Sequence, residues 1–320
     1  MRSIIALLMI GIALVPGIGQ SDTTDIDTTY VPFVAYWAIG DSYDFRITKI
    51  EQRWKEETQV KDDTTSYIGN FTVIDSTENS YTIKWTYSTQ LGGLDLTPNL
   101  IEKLSRFQMT EVIYKTTELG EFLEVENWQE ISDMMNELFD LLIDHYSEEK
   151  NVDKQALENV ITPMKAIFAS KEGIEGYVLK ELQYFHFPLG LEYPANEPVE
   201  YEEELPNLLG GGPIRGHSRL YFESVDFDQA YCVLIHEMKL NPDDTRDMVA
   251  AFFRSMGQTG DELEKVVNNA VFDITDYNRF EYFFFPGVPL YIKTRRELVM
   301  DLDEEHQRRI DVIQIELLDP

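Results

Sequence analysis

A chain of 320 residues, 43% hydrophobic and 12% aromatic, has the material for a substantial core and is no disordered tail. Its 58 acidic residues against 27 basic ones leave a formal net charge of −31, which repels phosphate backbones and excludes nucleic acid as a partner. A single cysteine excludes an intramolecular disulfide and any multi-cysteine metal cluster.

The first twenty residues form a unit of their own. Arg2 supplies a positive start, Ile4–Val15 is uncharged and apolar, Pro16 breaks the run, and Gly17 and Gly19 stand two apart, as a signal peptidase site requires. The run falls short of the roughly 20 helical residues that cross a bilayer. Residues 1–20 are therefore expected to be a cleaved signal, giving a secreted or extracytoplasmic product with no stable membrane span. Residues 21–32, opened by the polar Ser21–Thr29, read as a flexible, acidic and threonine-rich leader.

From Tyr43 the apolar period is two. Tyr43, Phe45 and Ile47 share one face, Tyr67, Gly69, Phe71 and Val73 make a matching stripe, and Tyr81, Ile83, Trp85 and Tyr87 alternate with Thr82, Lys84, Thr86 and Ser88. The polar Asp75–Ser80 reads as the hairpin connection between the last two. Two weaker strands, around Phe107–Thr116 and Glu121–Val125, meet at a turn containing Gly120. The sequon Asn70-Phe71-Thr72 falls inside a predicted strand, so Asn70 is a glycosylation site only if the host modifies exported chains.

The period then becomes 3.6. Trp128, Ile131, Met135, Leu138 and Leu142 form one stripe, with Asn127 and Glu130 spaced as N-cap and N3. Leu157, Val160, Ile161, Met164, Ile167 and Phe168 form a second, interrupted at Pro163, and a third helix is expected through Ile174, Val178, Leu182 and Phe185. A loop holding the acidic run Glu200–Glu204 and Gly210–Gly212 comes next. Arg215–Glu223 and Gln229–Leu240 read as a hairpin turned at Asp226–Asp228. A helix after Asn241 carries Met248, Phe252, Phe253 and Met256, and another covers Leu263, Val266 and Val267. The chain ends in strands at Arg279–Phe284, Leu290–Met300 and Arg308–Leu318. In the first of these, Tyr282 with Phe283, Phe284 and Phe285 puts rings on both faces, which predicts cover on both sides. Strands, then helices, then strands predict an α+β fold: one long antiparallel sheet, in a meander or half-barrel, with helices packed on one face. Residues 33–320 read as one domain with a helical insertion at about 127–190; a separate helical domain over the same residues is the alternative.

Gly40-Asp41-Ser42 near the start and Asp303-Glu304-Glu305-His306 near the end resemble the GDS and D-x-x-H blocks of the SGNH esterases. That resemblance implies Ser42 as nucleophile, His306 as base and Asp303 as the group that orients it. The chain departs from the family pattern in two ways: it has no G-x-N-D block, and Ser42 leads into the alternating Tyr43–Ile47 where the family has a strand giving way to a helix. The residues themselves favour no catalytic set, and the esterase stays an alternative. His236-Glu237 begins like H-E-x-x-H, but Leu240 stands where the second histidine belongs. His145, His186 and His217 have no ligand spacing, Cys232 sits in an apolar strand as an inert thiol, and the acidic runs match no calcium loop. No metal and no cofactor is expected.

An export signal, a long meander, inserted helices and a terminal hairpin after Pro286-Gly287-Val288-Pro289 together resemble the LolA-like carriers. The resemblance rests on element order alone and carries no functional residue over. It implies an open half-barrel that holds acyl chains or lipid-modified proteins and catalyses nothing. The partner would be a hydrophobic small molecule or a cell-surface protein. A structural or protein-interaction module is the alternative.

Overall fold

The computed structural model describes residues 29–88, 111–149, 153–175, 180–205, 212–255, 270–302 and 305–318. The segments read as signal and, for the most part, as leader, the helix expected through Leu263, Val266 and Val267, and Phe107, Val178, Gly210, Gly211, Met256 and Asp303 lie outside these residues.

Six strands come first: β1 (Tyr30–Phe33), β2 (Ser42–Lys55), β3 (Thr58–Ser76), β4 (Ser80–Ser88), β5 (Glu111–Thr117) and β6 (Phe122–Val125). Helices α1 (Trp128–Glu149) and α2 (Lys154–Phe168), the single turn α3 (Lys171–Gly173) and α4 (Lys180–His186) follow. Then come β7 (Leu191–Pro194), β8 (Val199–Leu205), β9 (Ile214–Asp226), β10 (Tyr231–Leu240), α5 (Pro242–Ser255), β11 (Val271–Phe283), β12 (Pro289–Leu302) and β13 (Glu305–Leu318). β1 and β7 pair as a separate ribbon, and the other eleven strands form one open sheet ordered β6-β5-β4-β3-β2-β13-β12-β11-β10-β9-β8. Every neighbouring pair in it is antiparallel. This is the expected α+β class with one long antiparallel sheet. It consists of two meanders, β2 to β6 and β8 to β13, joined where β2 pairs with β13 from Asp44 opposite Leu318 to Lys55 opposite Gln307.

The sheet curls. β4 and β11 stand five steps apart, about 24 Å across a flat sheet at roughly 4.8 Å per strand. Yet the Phe185 ring of α4 lies 5.6 Å from that of Trp85 in β4, while the Phe185 carbonyl accepts a 2.6 Å hydrogen bond from the Tyr282 hydroxyl of β11. One residue reaches both only because the strands wrap around it. The inner face is then set by the period of two: Phe45 and Ile47, Phe71 and Val73, Ile83 and Trp85, Phe280 and Tyr282, all buried. Gly69 belongs to the same stripe for a steric reason. A Cβ there would lie 2.8 Å from Ile47 Cδ1 and 2.9 Å from Trp85 Cζ2, so its absence lets the indole lie across β3.

Several local expectations are corrected. The acidic run Glu200–Glu204 is no loop; it is β8, the edge strand, with Glu200 opposite Arg219, Glu202 opposite His217 and Glu204 opposite Arg215. Glu200 pairs with Arg219 at 3.6 Å and Glu202 meets His217 at 3.0 Å, while Arg215 turns away to Asp244, and the carboxylates blunt an edge that would otherwise invite another strand. Asn127 does not cap its own helix: its side chain accepts from the Ile113 N–H at 2.9 Å and so ties the start of α1 to β5. Of the third expected helix, Lys180–His186 form the nearly two turns of α4, and residues 176–179 before them lie outside the described residues. Tyr30–Phe33, partly inside the interval read as leader, form β1. Of the aromatic run, Tyr282 is buried, but Phe283 and Phe285 are 37% and 69% exposed, so the outer face there lacks the cover that was expected.

Candidate functional site

The inner face of the sheet divides into zones along the strands. In the first, nearest the turns between β5 and β6 and between β11 and β12, side chains are aromatic and α4 plugs the curl. Phe185 stacks on Phe71 at 5.3 Å and meets Phe45 and Trp85 edge-on at 5.2 and 5.6 Å. The segment that follows β1 fills the rest. Trp37 lies 5.0 Å from Phe71 and 5.2 Å from Tyr81, while Phe33 reaches the far side of the curl, 5.3 Å from Tyr282. Gly120, at φ +93°, turns the chain beneath this segment where a Cβ would come within 2.9 Å of Ala35. His186 bridges Tyr114 at 2.9 Å and the Gly120 carbonyl at 2.8 Å. Around this buried centre Tyr43, Tyr67, Tyr81, Tyr87 and Phe122 remain only half-buried, and Trp128 and Met135 of α1 pack against it.

One level further along, the long strands from β10 to β3 turn polar, with one exception. His236, Asn278, Thr294, Lys49 and Thr65 occupy a single register row, interrupted by Ile313 of β13 and bounded at β9 by the apolar Leu220. The next row is charged: Asp276, Arg296, Asp311, Glu51 and Asp63. α4 straddles this boundary. Its Leu182 and Phe185 belong to the aromatic core, whereas Glu181, buried on the other side, accepts a 2.5 Å hydrogen bond from Tyr67 and pairs with Lys49. Burial, and then the charge of Glu181, pushes the Tyr67 and Tyr87 hydroxyls well above the usual phenol range. Arg296 clamps the buried Asp276 with two bonds of 2.7 and 2.6 Å. Tyr184 bonds Thr294 beside that pair, and its hydroxyl is also raised, by burial and then by Asp276.

The buried His236 is stacked on Phe187 at 4.8 Å, and burial holds its imidazole down at about 4. Asn278 Nδ2 donates to its Nδ1 at 3.2 Å, so Nε2 carries the proton and donates to Ser218 Oγ at 3.2 Å. Ser218 in turn donates to Glu203 at 2.5 Å. That polarity is the reverse of what a nucleophilic serine needs from its base, and Ser218 is fully buried. The chain of bonds satisfies polar groups and activates nothing.

The residues singled out from sequence are not brought together. Ser42 opens β2 and His306 lies by the turn at its other end, where the Glu56 N–H donates to the His306 carbonyl at 2.8 Å. A 14-residue strand at about 3.3 Å per residue separates them by roughly 45 Å. Ser42 bonds Thr72 and Asn70 at 3.1 and 2.9 Å, and the carboxylate on His306 Nδ1 is Asp301 at 2.5 Å; Asp303 lies outside the described residues. Asn70 is on the outer face with its amide donating to Ser42 and Asp44 and its oxygen accepting from Thr72. Burial raises the Cys232 thiol to about 12, which keeps it unreactive. Sequence reasoning missed the polar rows and α4's part in them. The available signal was a stripe that changes character within one strand, Phe45 and Ile47 giving way to Lys49 and Glu51.

Among the described residues, no helix is long and apolar enough to cross a membrane. No family model and no curated protein matches the chain. Among solved structures it is similar to a lipovitellin structure concerned with lipid–protein interactions, at 11% identity and a TM-score of 0.44, over 88% of this chain. It spans only 25% of the lipovitellin chain. The attachment invasion locus protein Ail of Yersinia pestis aligns over 88% of this chain and all of its own, at 7% identity and a TM-score of 0.14. An outer membrane channel from Pseudomonas putida F1 aligns over 93% of this chain and all of its own, at 6% identity and a TM-score of 0.16.

Proposed function

We propose that the protein is an exported, non-catalytic binding protein that takes a hydrophobic ligand against the inner face of its curled sheet. The observation that carries this reading is the incomplete cover of the aromatic zone. Five aromatic side chains, Tyr43, Tyr67, Tyr81, Tyr87 and Phe122, stay half-buried around a fully buried centre. Rings of that kind offer a large apolar area together with a polar tip, the combination that small-molecule sites use. The N-terminal apolar run supports export, and the wide separation of Ser42 from His306 supports a role without acyl-transfer chemistry.

The test is native mass spectrometry of the full chain after exposure to a lipid extract. A discrete added mass that organic extraction removes is the expected result. A clean apoprotein mass overturns the reading. It would move the assignment to a surface-interaction module, for which a separate observation speaks. At the end of the molecule where the aromatic zone opens, Tyr36 and Phe285 pair at 5.6 Å and are 52% and 69% exposed. Leu119 is exposed on the adjacent turn, where its carbonyl accepts from the Ala35 N–H at 3.0 Å. An uncovered apolar rim of this kind marks a docking surface on a soluble protein.

A further inference from the structure

The exposed pair Tyr36 and Phe285 belongs to an end of the molecule whose turns carry charge of one sign. Strands that alternate in direction bring four turns there: residues 77–79 after β3, 118–121 after β5, 227–230 after β9 and 284–288 after β11. Residues 34–41, the approach to β2, run across the same end and tie it together. The Ala35 N–H donates to the Leu119 carbonyl at 3.0 Å, the Tyr36 N–H to the Pro286 carbonyl at 3.1 Å and the Gly40 N–H to the Val73 carbonyl at 2.9 Å. The Phe284 N–H joins the last two turns through the Ala230 carbonyl at 2.7 Å. The apolar tips therefore stand on fixed backbone. Ala35 and Trp37 are buried, so the period of two leaves Tyr36 between them in solvent; Ile39 is 63% exposed, and Leu119 and Phe285 are exposed as well.

In these five segments the ionisable residues are Asp41, Glu78, Glu118, Glu121 and Asp228, with no lysine, arginine or histidine. The other end of the strands mixes its signs. Lys55, Glu56 and Glu57 follow one another at the β2–β3 turn, with His306 and Arg308 alongside. We propose that the acidic end docks a polypeptide whose contact face is basic and apolar. The partner's aliphatic or aromatic side chains cover Tyr36, Phe285, Leu119 and Ile39, and its lysines or arginines meet the surrounding carboxylates. Other occupants fit worse. An anionic bilayer is repelled by those carboxylates, and a second copy of this end would set like charges against each other. A neutral bilayer would strip water from Glu118 and Asp41, which adjoin the tips Leu119 and Ile39 in the chain. The assignment rests on the docking rim noted above, names the partner for it, and holds whether or not the curl carries a ligand.

The test uses the full chain and three labelled synthetic helices of about 15 residues: leucine with lysine in an amphipathic pattern, leucine with glutamate in the same pattern, and serine with lysine. Affinities are read by fluorescence anisotropy. The leucine–lysine helix is expected to bind, and the joint change Tyr36→Ser with Phe285→Ser should weaken it by about tenfold. Glu118→Gln with Asp228→Asn should weaken it a few-fold, an effect that about 0.5 M salt removes. Val60→Ser, at an exposed apolar residue near the opposite end, should change nothing. The serine–lysine helix measures attraction to the net charge of −31 alone and should be weak and blind to the rim changes. All substituted residues are exposed, and unfolding curves check that each variant folds. Leucine–lysine binding that the Tyr36 and Phe285 changes leave intact overturns both the proposal and the docking rim. Equal binding of the leucine–glutamate helix, if the rim changes weaken it, overturns the basic partner and keeps the rim. Phosphatidylcholine vesicles that sediment with the wild type and not with the rim variant would make the occupant a bilayer, and the proposal would fall.

Discussion

The two halves of the long strands are built from the same backbone and held by different physics. Toward the β5–β6 turn the inner face is a plugged aromatic core in which Phe45, Phe71, Trp85 and Phe185 are all fully buried. Toward the β2–β3 turn the same strands carry Glu51, Arg53, Lys61, Arg309 and Asp311, half-exposed and joined in a ladder of ion pairs. In the first half stability comes from apolar area taken out of water. In the second, like charges stand directly opposite one another, Glu51 between Asp311 and Asp63 and Arg53 between Arg309 and Lys61, and the ion pairs that offset them run along or diagonally across the strands and gain little in high dielectric. Apolar anchoring and mutually compensated charge are thus divided along one strand.

Substitutions should expose that division. The largest effect is expected at Phe185. Truncation to alanine leaves a cavity amid three rings and should cost about 3–5 kcal/mol, read as a lower urea midpoint at unchanged slope. A loss as small as that expected in the ionic half would contradict the plug's role. Next comes the boundary. His236 is held neutral at about 4 against an ordinary 6.5. The unfolded chain therefore takes up a proton first as pH falls. Stability is full above about 6.5, declines through the window between the two values, and has lost roughly 3 kcal/mol once below about 4. Chemical denaturation at a series of pH values should show that slope, and His236→Gln should flatten it. The smallest effect is expected in the ladder. Glu51→Gln should cost about 1 kcal/mol or less, and the difference should disappear in 1 M salt. If salt left it unchanged, the ionic half would be working as a desolvated core.

What was legible in the sequence follows the same division. Alternation such as Tyr81, Ile83, Trp85 and Tyr87 announces a strand because an apolar core enforces it, and the helical stripe through Trp128, Ile131 and Met135 is visible for the same reason. β8 was hidden. Its Val199, Tyr201 and Leu205 are few, and four glutamates in seven residues look like a solvated loop until the basic residues of β9 are set opposite. The α4 sequence KELQYFH gives no sign that Glu181 is buried, because that depends on a strand more than a hundred residues away. The GDS and D-x-x-H blocks show the opposite error: a shared vocabulary of short motifs cannot tell one end of a strand from the other.

The pairing of β2 with β13 sets the order of events during synthesis. Both edges of the sheet, β6 and β8, come from the middle of the chain, while its central seam joins the first long strand to the last. The seam cannot close until β13 has been made, although each meander can pair within itself before that, and the loop closed by the seam runs from Lys55 to Gln307. The same seam leaves the two ends of the sheet-forming chain as neighbours, so joining Leu318 to Ser42 through a short linker and opening the chain at the β7–β8 connection would preserve every pairing in the large sheet.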